Sequence, residues 1–363
     1  MYPQTQKIIS QKQAQGIFPG AVYAFIEPEQ EQALMDLEEN QNPLLAKNRK
    51  FTQEIHVLGQ ARIVPESYPM EEDFLFDVAS LTKVVCTTSL VLRLIEDGKI
   101  DLDAPLKNYL LAFQDERITI RHLLTHTSDI QTWIPDRDKL SQSELKAAYL
   151  TLKSGDQLGQ QVKYTDAGTI LLGFMLEELY WDDATDIFQE EVLNPLGMMH
   201  SLFSPHPSKR IVPTEQLASG EVLHGVTHDP KARVLAEHAG NAGLFTTIGD
   251  LIKFVTMYLR LGSLPEGQFL REETIKELLR DQTPTGEGQR SLGWDLKVDL
   301  SEGRPLLFHT GYTGTFILID ILEGSGFIFL SNRVHPTDHR EEYIQVRDEI
   351  LKIYLTEKAQ KKK

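Results

Sequence analysis

The 363-residue sequence predicts an α+β fold: a sheet assembled from both ends of the chain, with a mainly helical stretch inserted in its middle. Three observations predict it. Strand-like runs follow the amino terminus, helical spacing dominates the centre, and strands return in the last third before a closing helix. Residues 4–16 read as an amphipathic helix ending at Gly16. Gly20 to Ile26 and Ile55 to Ala61 are rich in Val, Ile and aromatics, as strands are. Between them, Glu27 to Lys50 is charged and lacks aromatics until Phe51, which suggests an exposed excursion or a long hairpin.

From Ser80 to Asp97 the pattern changes. Val84, Val85, Thr88, Val91, Leu92 and Ile95 recur at helical spacing, and Gly98 stops the run. Ile118 to Leu124 and Thr169 to Tyr180 are also expected to be helical, the latter after a turn at Asp166–Gly168, and Asn194-Pro195-Leu196-Gly197 closes a further helix. Residues 81 to about 225 are therefore expected to be mainly helical. Ser291 to Val298, Pro305 to His309, Thr315 to Ile321 and Gly326 to Ser331 read as strands, with a hairpin turn at Glu323–Gly326. Glu342 to Tyr354 has the spacing of a closing helix. The expected organisation is a sheet domain of residues 1–79 with 230–363 and a helical domain of residues 80–229, the active site lying in the cleft between them.

The formal charge is −16, from 53 acidic and 37 basic residues. This argues against a nucleic-acid partner, whose phosphates are held by a basic surface. The lysines of the tail, Lys358 to Lys363, read as a frayed, solvated end. A single cysteine, Cys86, excludes an internal disulfide. Met1 to Gln15 lacks the apolar centre of a signal peptide, and no apolar run reaches the length of a membrane span. A cytoplasmic protein without a membrane partner is the expectation.

Three short motifs carry chemistry. In Ser80-Leu81-Thr82-Lys83, positions i and i+3 share a helix face, so hydroxyl and amine fall within hydrogen-bonding reach. The first turn of a helix favours a developing anion on the serine, and a neutral lysine amine can take its proton. Tyr164-Thr165-Asp166, on a turn between helices, can bring a phenol to that pair as a second base or shuttle. His309-Thr310-Gly311 ends a strand-like run; Gly311 would let substrate lie close to the strand edge. A backbone N–H just beyond it, with that of Ser80, could form an oxyanion hole. Each motif alone is equally compatible with an ordinary helix, turn or strand end.

Together, in this order and spacing, the motifs resemble the class C β-lactamase-like serine hydrolases, where they run S-x-x-K, Y-x-N and K/H-T-G. That family includes low-molecular-mass penicillin-binding proteins with D-Ala-D-Ala peptidase activity and related esterases. Phe18-Pro19-Gly20-Ala21, the run Gly98 to Pro105, Ile120 to Ser128, Ala239 to Thr247 and Leu330 to Arg333 resemble the same family. The resemblance implies a β-lactamase/transpeptidase-like fold without a cofactor or metal, and a small-molecule or short-peptide substrate, β-lactams included. It implies Ser80 as nucleophile, Lys83 as its activator and Tyr164 as proton shuttle. Asp166, His309, Thr310 and Gly311 would face the substrate, and the N–H groups of Ser80 and Tyr312 would hold the oxyanion.

Two departures bear on substrate. Asp166 stands where the family usually has Asn; a carboxylate accepts but cannot donate, and it could pair with Lys83 and hold it charged. His309 stands where penicillin-recognising members usually have Lys, so recognition of a free carboxylate should weaken as pH rises. Both shift the expected substrate towards esters or D-amino-acid peptides. A second reading is a penicillin-binding or sensing protein with little turnover. A third, a metal hydrolase using His224 and His228, is disfavoured by Gly225 between them and by the lack of a third ligand. His122 and His126 read as satisfied structural histidines on one helical face, and Trp133 as a core or cleft-mouth residue.

Overall fold

The computed structural model describes residues 1–29 and 49–361. The tip of the expected excursion after Glu27 therefore lies outside the described residues. Its two arms do not: β1 (Gly20–Pro28) and β2 (Phe51–Arg62) pair antiparallel from Gly20↔Gly59 to Pro28↔Phe51. With β3 (Tyr68–Pro69), β9 (Asp295–Val298), β10 (Pro305–Gly311), β11 (Thr315–Asp320) and β12 (Ser325–Ser331) they form a seven-stranded antiparallel sheet, ordered β3-β2-β1-β12-β11-β10-β9. The amino- and carboxy-terminal strands meet at β1–β12, where Ala21 faces Ser331 and Ile26 faces Gly326.

Both faces of this sheet are covered, so its central strands carry apolar residues on both faces rather than at alternate positions. Val22, Ala24, Ile26, Ile317, Ile319, Ile328 and Leu330 point into a large core shared with the helices. Tyr23, Phe25, Phe308, Phe316, Phe327 and Phe329 point the other way, under α1 (Pro3–Ala14) and the closing helix α10 (Arg340–Lys361). The period-two alternation thus places most of the aromatic side chains on one face, joined there by Ala21, Leu306 and Leu318. Glu357 of α10 receives the backbone N–H groups of Gln4 and Thr5, each at 2.9 Å, which caps the start of α1 and ties the termini together.

The tail expected to be frayed is ordered as far as Lys361, and Lys362 and Lys363 lie outside the described residues. α10 continues to Lys361, and Lys358 is buried with its ammonium 2.6 Å from Asp320 and 2.8 Å from Glu323. Burial opposes this charge, and the two carboxylates outweigh it.

The helical layer begins at Leu81. Its first helix contains a wider π turn over Lys83–Thr88 and continues as α2 (Ser89–Glu96). α3 (Ile120–Leu124), α4 (Gln142–Leu150), α5 (Ala167–Tyr180) and α6 (Ala184–Phe188) follow. α5 is apolar all round, with Ala167 to Leu176 buried, because it runs through the centre of the core. Residues 194–229, expected to be largely helical, are mostly irregular: Pro195, Pro205, Pro207 and Pro213 interrupt them, and only the short β5 (Leu202–Phe203) is regular. β5 joins β4 (Phe76–Asp77) and β6 (Leu244–Thr246) in a small sheet of order β4-β6-β5. α7 (Pro230–Leu235), α8 (Ile248–Leu259), a hairpin of β7 (Ser263–Leu264) with β8 (Gly267–Gln268), and α9 (Glu272–Glu277) complete the chain.

Candidate active site

Ser80 sits on a sharp turn from β4 into the helical layer. Ala79, just before it, has φ of +47°, a conformation that L-residues adopt only when the surroundings enforce it. The buried carboxylate of Asp77 enforces it: one oxygen accepts the N–H of Ala79 at 2.8 Å, the other the N–H of His228 at 2.7 Å. Burial outweighs these bonds and raises the pKa of Asp77. Thr82 Oγ1 donates to the carbonyl of Ala79 at 2.7 Å and accepts the N–H of Leu244, so the turn is fixed to β6 as well.

The end of β10 is pressed against the same turn. A Cβ on Gly311 would lie 2.2 Å from the Val78 carbonyl oxygen, so no other residue fits there without displacing the strand. Thr313 and Thr315 donate to the carbonyls of Asp77 and Val78 at 2.6 and 3.2 Å. Two residues after the His309-Thr310-Gly311 motif therefore join the strand to the Ser80 turn.

Lys83 is buried, and its ammonium has three acceptors for its three donors. They are Ser80 Oγ at 2.8 Å, the carbonyl of Asn241 at 2.9 Å and Asp166 Oδ1 at 2.7 Å. Burial by itself lowers the pKa of this lysine, but Asp166, with Tyr164 and Asp229 behind it, outweighs burial and raises it. Burial likewise pushes Asp166 up, yet Lys83 and Lys231 hold it well below the usual carboxylate range. The pairing suggested by Asp166 in the sequence is present, and it keeps Lys83 charged.

Tyr164 lies on the loop before α5 with its ring half exposed, stacked on His126 at 4.5 Å between centroids. Lys83 Nζ and the Arg290 guanidinium face that ring at 5.5 and 5.6 Å. His126 is not on a helical face beside His122. It follows the end of α3 in a left-handed conformation, φ +55°, and its Nδ1 accepts the N–H of Thr165 at 3.3 Å. His122 does cap α3, exchanging hydrogen bonds with Thr119.

His309, expected to face the substrate, lies below the cavity surface. It is buried beneath Tyr164 and against Trp294, and neither ring nitrogen has a hydrogen-bond partner. Burial first, then Arg290 and Lys83, depress its pKa well below 6.5. Its neutral form is thereby favoured, which argues against a carboxylate-binding cation that fades as pH rises. Thr310 and Gly311 do line the open cavity, of about 320 Å³, together with Ser80, Tyr164, Tyr312, Arg333, Arg340, Tyr343, Ile344 and Arg347. A larger cavity of about 520 Å³, lined by Gln53 and by residues between Pro195 and Glu266, contains no residue of the three motifs.

The sequence motifs did not single out Lys231, Arg290 or Asn241. Lys231 and Arg290 lie outside all three motifs, and Asn241 contributes through its backbone carbonyl, which any residue offers. His224 Nε2 is 2.9 Å from the Ser208 and Ile211 carbonyls, whereas His228 meets Glu215 and stacks on Tyr312. These two imidazoles serve different neighbours. Among the described residues, Glu177, Asp183 and His238 lie close enough to share an ion, but Glu177 already pairs with Lys146 and His238, each at 2.6 Å. Trp133 and Trp181 are exposed and Trp294 fully buried. Among the described residues, no helix is long and apolar enough to cross a membrane.

The Beta-lactamase family model matches residues 5–351. A Bacillus subtilis (strain 168) protein described as N-acetylmuramyl-L-alanine amidase is 27% identical over 73% of this chain and 69% of its own length. A putative D-alanyl-D-alanine carboxypeptidase of Escherichia coli (strain K12) is 24% identical over 72% and 69%. Among solved structures, a class C β-lactamase superposes with a TM-score of 0.70 at 19% identity, covering 96% of this chain and 94% of its own. The octameric penicillin-binding protein homologue from Pyrococcus abyssi gives 0.69 at 20% identity, covering 96% and 76%.

Proposed function

The chain belongs to the Beta-lactamase family of serine hydrolases, and on that premise we propose that it cleaves an ester, amide or D-Ala-type peptide through an acyl-Ser80 intermediate. The observation that carries this reading is the 2.8 Å contact between Lys83 Nζ and Ser80 Oγ, at a strained turn opening onto a cavity. That cavity is lined by both proposed domains: residues 1–79 with 230–363 supply Gly311 and Tyr312, and residues 80–229 supply Ser80 and Tyr164, with Lys83 buried behind Ser80.

In this mechanism Lys83, once neutral, takes the Ser80 proton as Oγ attacks the substrate carbonyl. The backbone N–H groups of Ser80 and Tyr312 receive the oxyanion, and Tyr164 passes a proton to the leaving group. Water then attacks the acyl carbon and returns the proton by the same groups. Thr310 and Gly311 position the acyl part. Asp166 retains the Lys83 proton in the resting enzyme, so turnover climbs with pH.

The same ion pair supports a second reading, a penicillin-binding or sensing protein that acylates and deacylates slowly. Intact mass after brief exposure to a fluorescent penicillin and to a p-nitrophenyl ester separates the two. One adduct or released nitrophenol, absent in Ser80→Ala, is expected; its lifetime distinguishes hydrolase from trap. Folded protein that gives neither adduct nor nitrophenol would exclude acylation at Ser80.

A further inference from the structure

The Asp166 carboxylate is divided between two lysines. Its Oδ1 meets Lys83 at 2.7 Å and its Oδ2 meets Lys231 at 3.1 Å. Lys231, on α7, is mostly buried and reaches Asp229 Oδ2 at 2.7 Å. Asp229 caps α7 through the N–H of Ala232 at 2.8 Å and accepts Asn241 Nδ2 at 3.2 Å. Asn241 closes the circuit, since its carbonyl accepts the Lys83 ammonium. Two ammoniums and two carboxylates thus form a closed ring around the base of the candidate nucleophile, and their charges cancel.

Building on the acyl-serine reading, we propose that Lys231 is a positioning residue for the Ser80 reaction. By holding one oxygen of Asp166, it limits how firmly that carboxylate retains the Lys83 proton, and so sets the pH at which Ser80 becomes nucleophilic.

The other groups facing Lys83 do not supply this control. Ser80 lies on its own turn, and Tyr164 precedes α5. His126, after α3, and His309, on β10, are both driven to the neutral state by burial and by the cations Arg290 and Lys83. Arg290, buried before β9, is a fixed cation that approaches the Tyr164 ring rather than Asp166. Asp229 meets Lys231 directly and reaches Lys83 through Asn241. Lys231 remains as the cation that competes with Lys83 for one carboxylate. Burial opposes its charge, but Asp229 and Asp166 outweigh burial and keep it protonated. Opposite charges within about 4–6 Å favour ionisation, so removing the competitor strengthens the Asp166 hold on Lys83.

The test is the pH dependence of p-nitrophenyl acetate hydrolysis, kcat/KM, in wild type, Lys231→Gln, Lys231→Met and Lys231→Arg. Each protein is first checked for a cooperative thermal transition. Gln can still donate to both carboxylates and is the variant least prone to misfold. The rising limb is expected to move to higher pH by about one unit in the Gln and Met variants, a roughly tenfold lower rate on that limb. Lys231→Arg should keep the wild-type limb. A limb that stays in place while its amplitude falls would overturn the inference, as would an Arg variant displaced as far as Gln. Wild-type hydrolysis that survives Ser80→Ala would instead overturn the acyl-serine reading itself.

Discussion

Asp166 lies 2.7 Å from Lys83, and Lys83 in turn donates to Ser80 Oγ at 2.8 Å. The carboxylate holds the proton on Lys83, so less of the neutral amine is available to take the Ser80 proton. Replacing it by the amide usual in this family, Asp166→Asn, removes the anion and leaves Lys83 beside Lys231 with no shared counter-charge. The Lys83 pKa should fall. Nitrophenyl-ester hydrolysis near neutral pH should rise by about tenfold or more, its rising limb moving to lower pH. This displacement is opposite in sign to that of Lys231→Gln, so the two profiles measured together bracket the wild type. An unchanged limb would mean that Asp166 does not govern the Lys83 proton.

Much of this architecture can be read in the sequence because apolar pattern and turn residues act locally. The helix from Ser80, the strands at Pro305 and Thr315 and the helix at Thr169 were legible for that reason. The short motifs likewise bring Ser80, Lys83 and Tyr164 into one cleft. What was not legible depends on tertiary burial. His309 reads as a titratable group near pH 6.5 until its burial and, after that, the charge of Arg290, some twenty residues earlier in sequence, are taken into account. Lys358 reads as tail until Asp320 and Glu323 meet it. Residues 194–229 lack a helical period, and their prolines were the available signal.

The neutrality of His309 has a kinetic consequence. For a carboxylate-bearing ester and a neutral ester of similar size, the ratio of kcat/KM values should stay flat between about pH 6 and pH 8. A ratio that falls about tenfold over this interval would show that an imidazolium at His309 binds the carboxylate after all.

Gly311 is constrained by packing rather than by backbone conformation. In Gly311→Ala the new Cβ would meet both the Val78 carbonyl oxygen and Thr315 Oγ1 at 2.2 Å, and β10 must retreat from the nucleophile turn. Displacements of about 1 Å at a reacting centre cost on the order of 10²-fold in rate. Acylation by the nitrophenyl ester should fall by that order, with a cooperative melt retained. A rate within about threefold of wild type would show that the strand edge does not position substrate.

Asp77 holds Ala79 in its left-handed turn by accepting N–H groups with both oxygens. Asp77→Asn presents an NH₂ to one of these donors and leaves it unpaired in a buried place, a cost of roughly 1–3 kcal/mol. Chemical denaturation should show that loss, and acylation of Ser80 should fall with it because the turn relaxes. If stability drops while acylation is unaffected, the turn geometry is not what activates Ser80.

Acid should unfold the protein through its paired carboxylates. Asp115 accepts the N–H and Oγ of Ser154 and pairs with Arg117 at 2.9 Å. Burial pushes its pKa up, but these partners outweigh burial and hold it well below the usual range, as Lys83 and Lys231 do for Asp166. A carboxyl whose folded pKa is depressed contributes stability that is fully present above its unfolded value, about 3.9, and is lost as pH falls towards the folded value. The melting temperature should therefore be insensitive to these groups above about pH 5 and fall steeply below about pH 4. Asp115→Asn should be less stable than wild type at neutral pH by roughly 1–3 kcal/mol, because it weakens bonds to Arg117 and Ser154. The variant should also lose less on acidification, so the two melting curves converge as pH drops. Parallel curves across that range would show that Asp115 binds its proton equally well in the folded and unfolded chain.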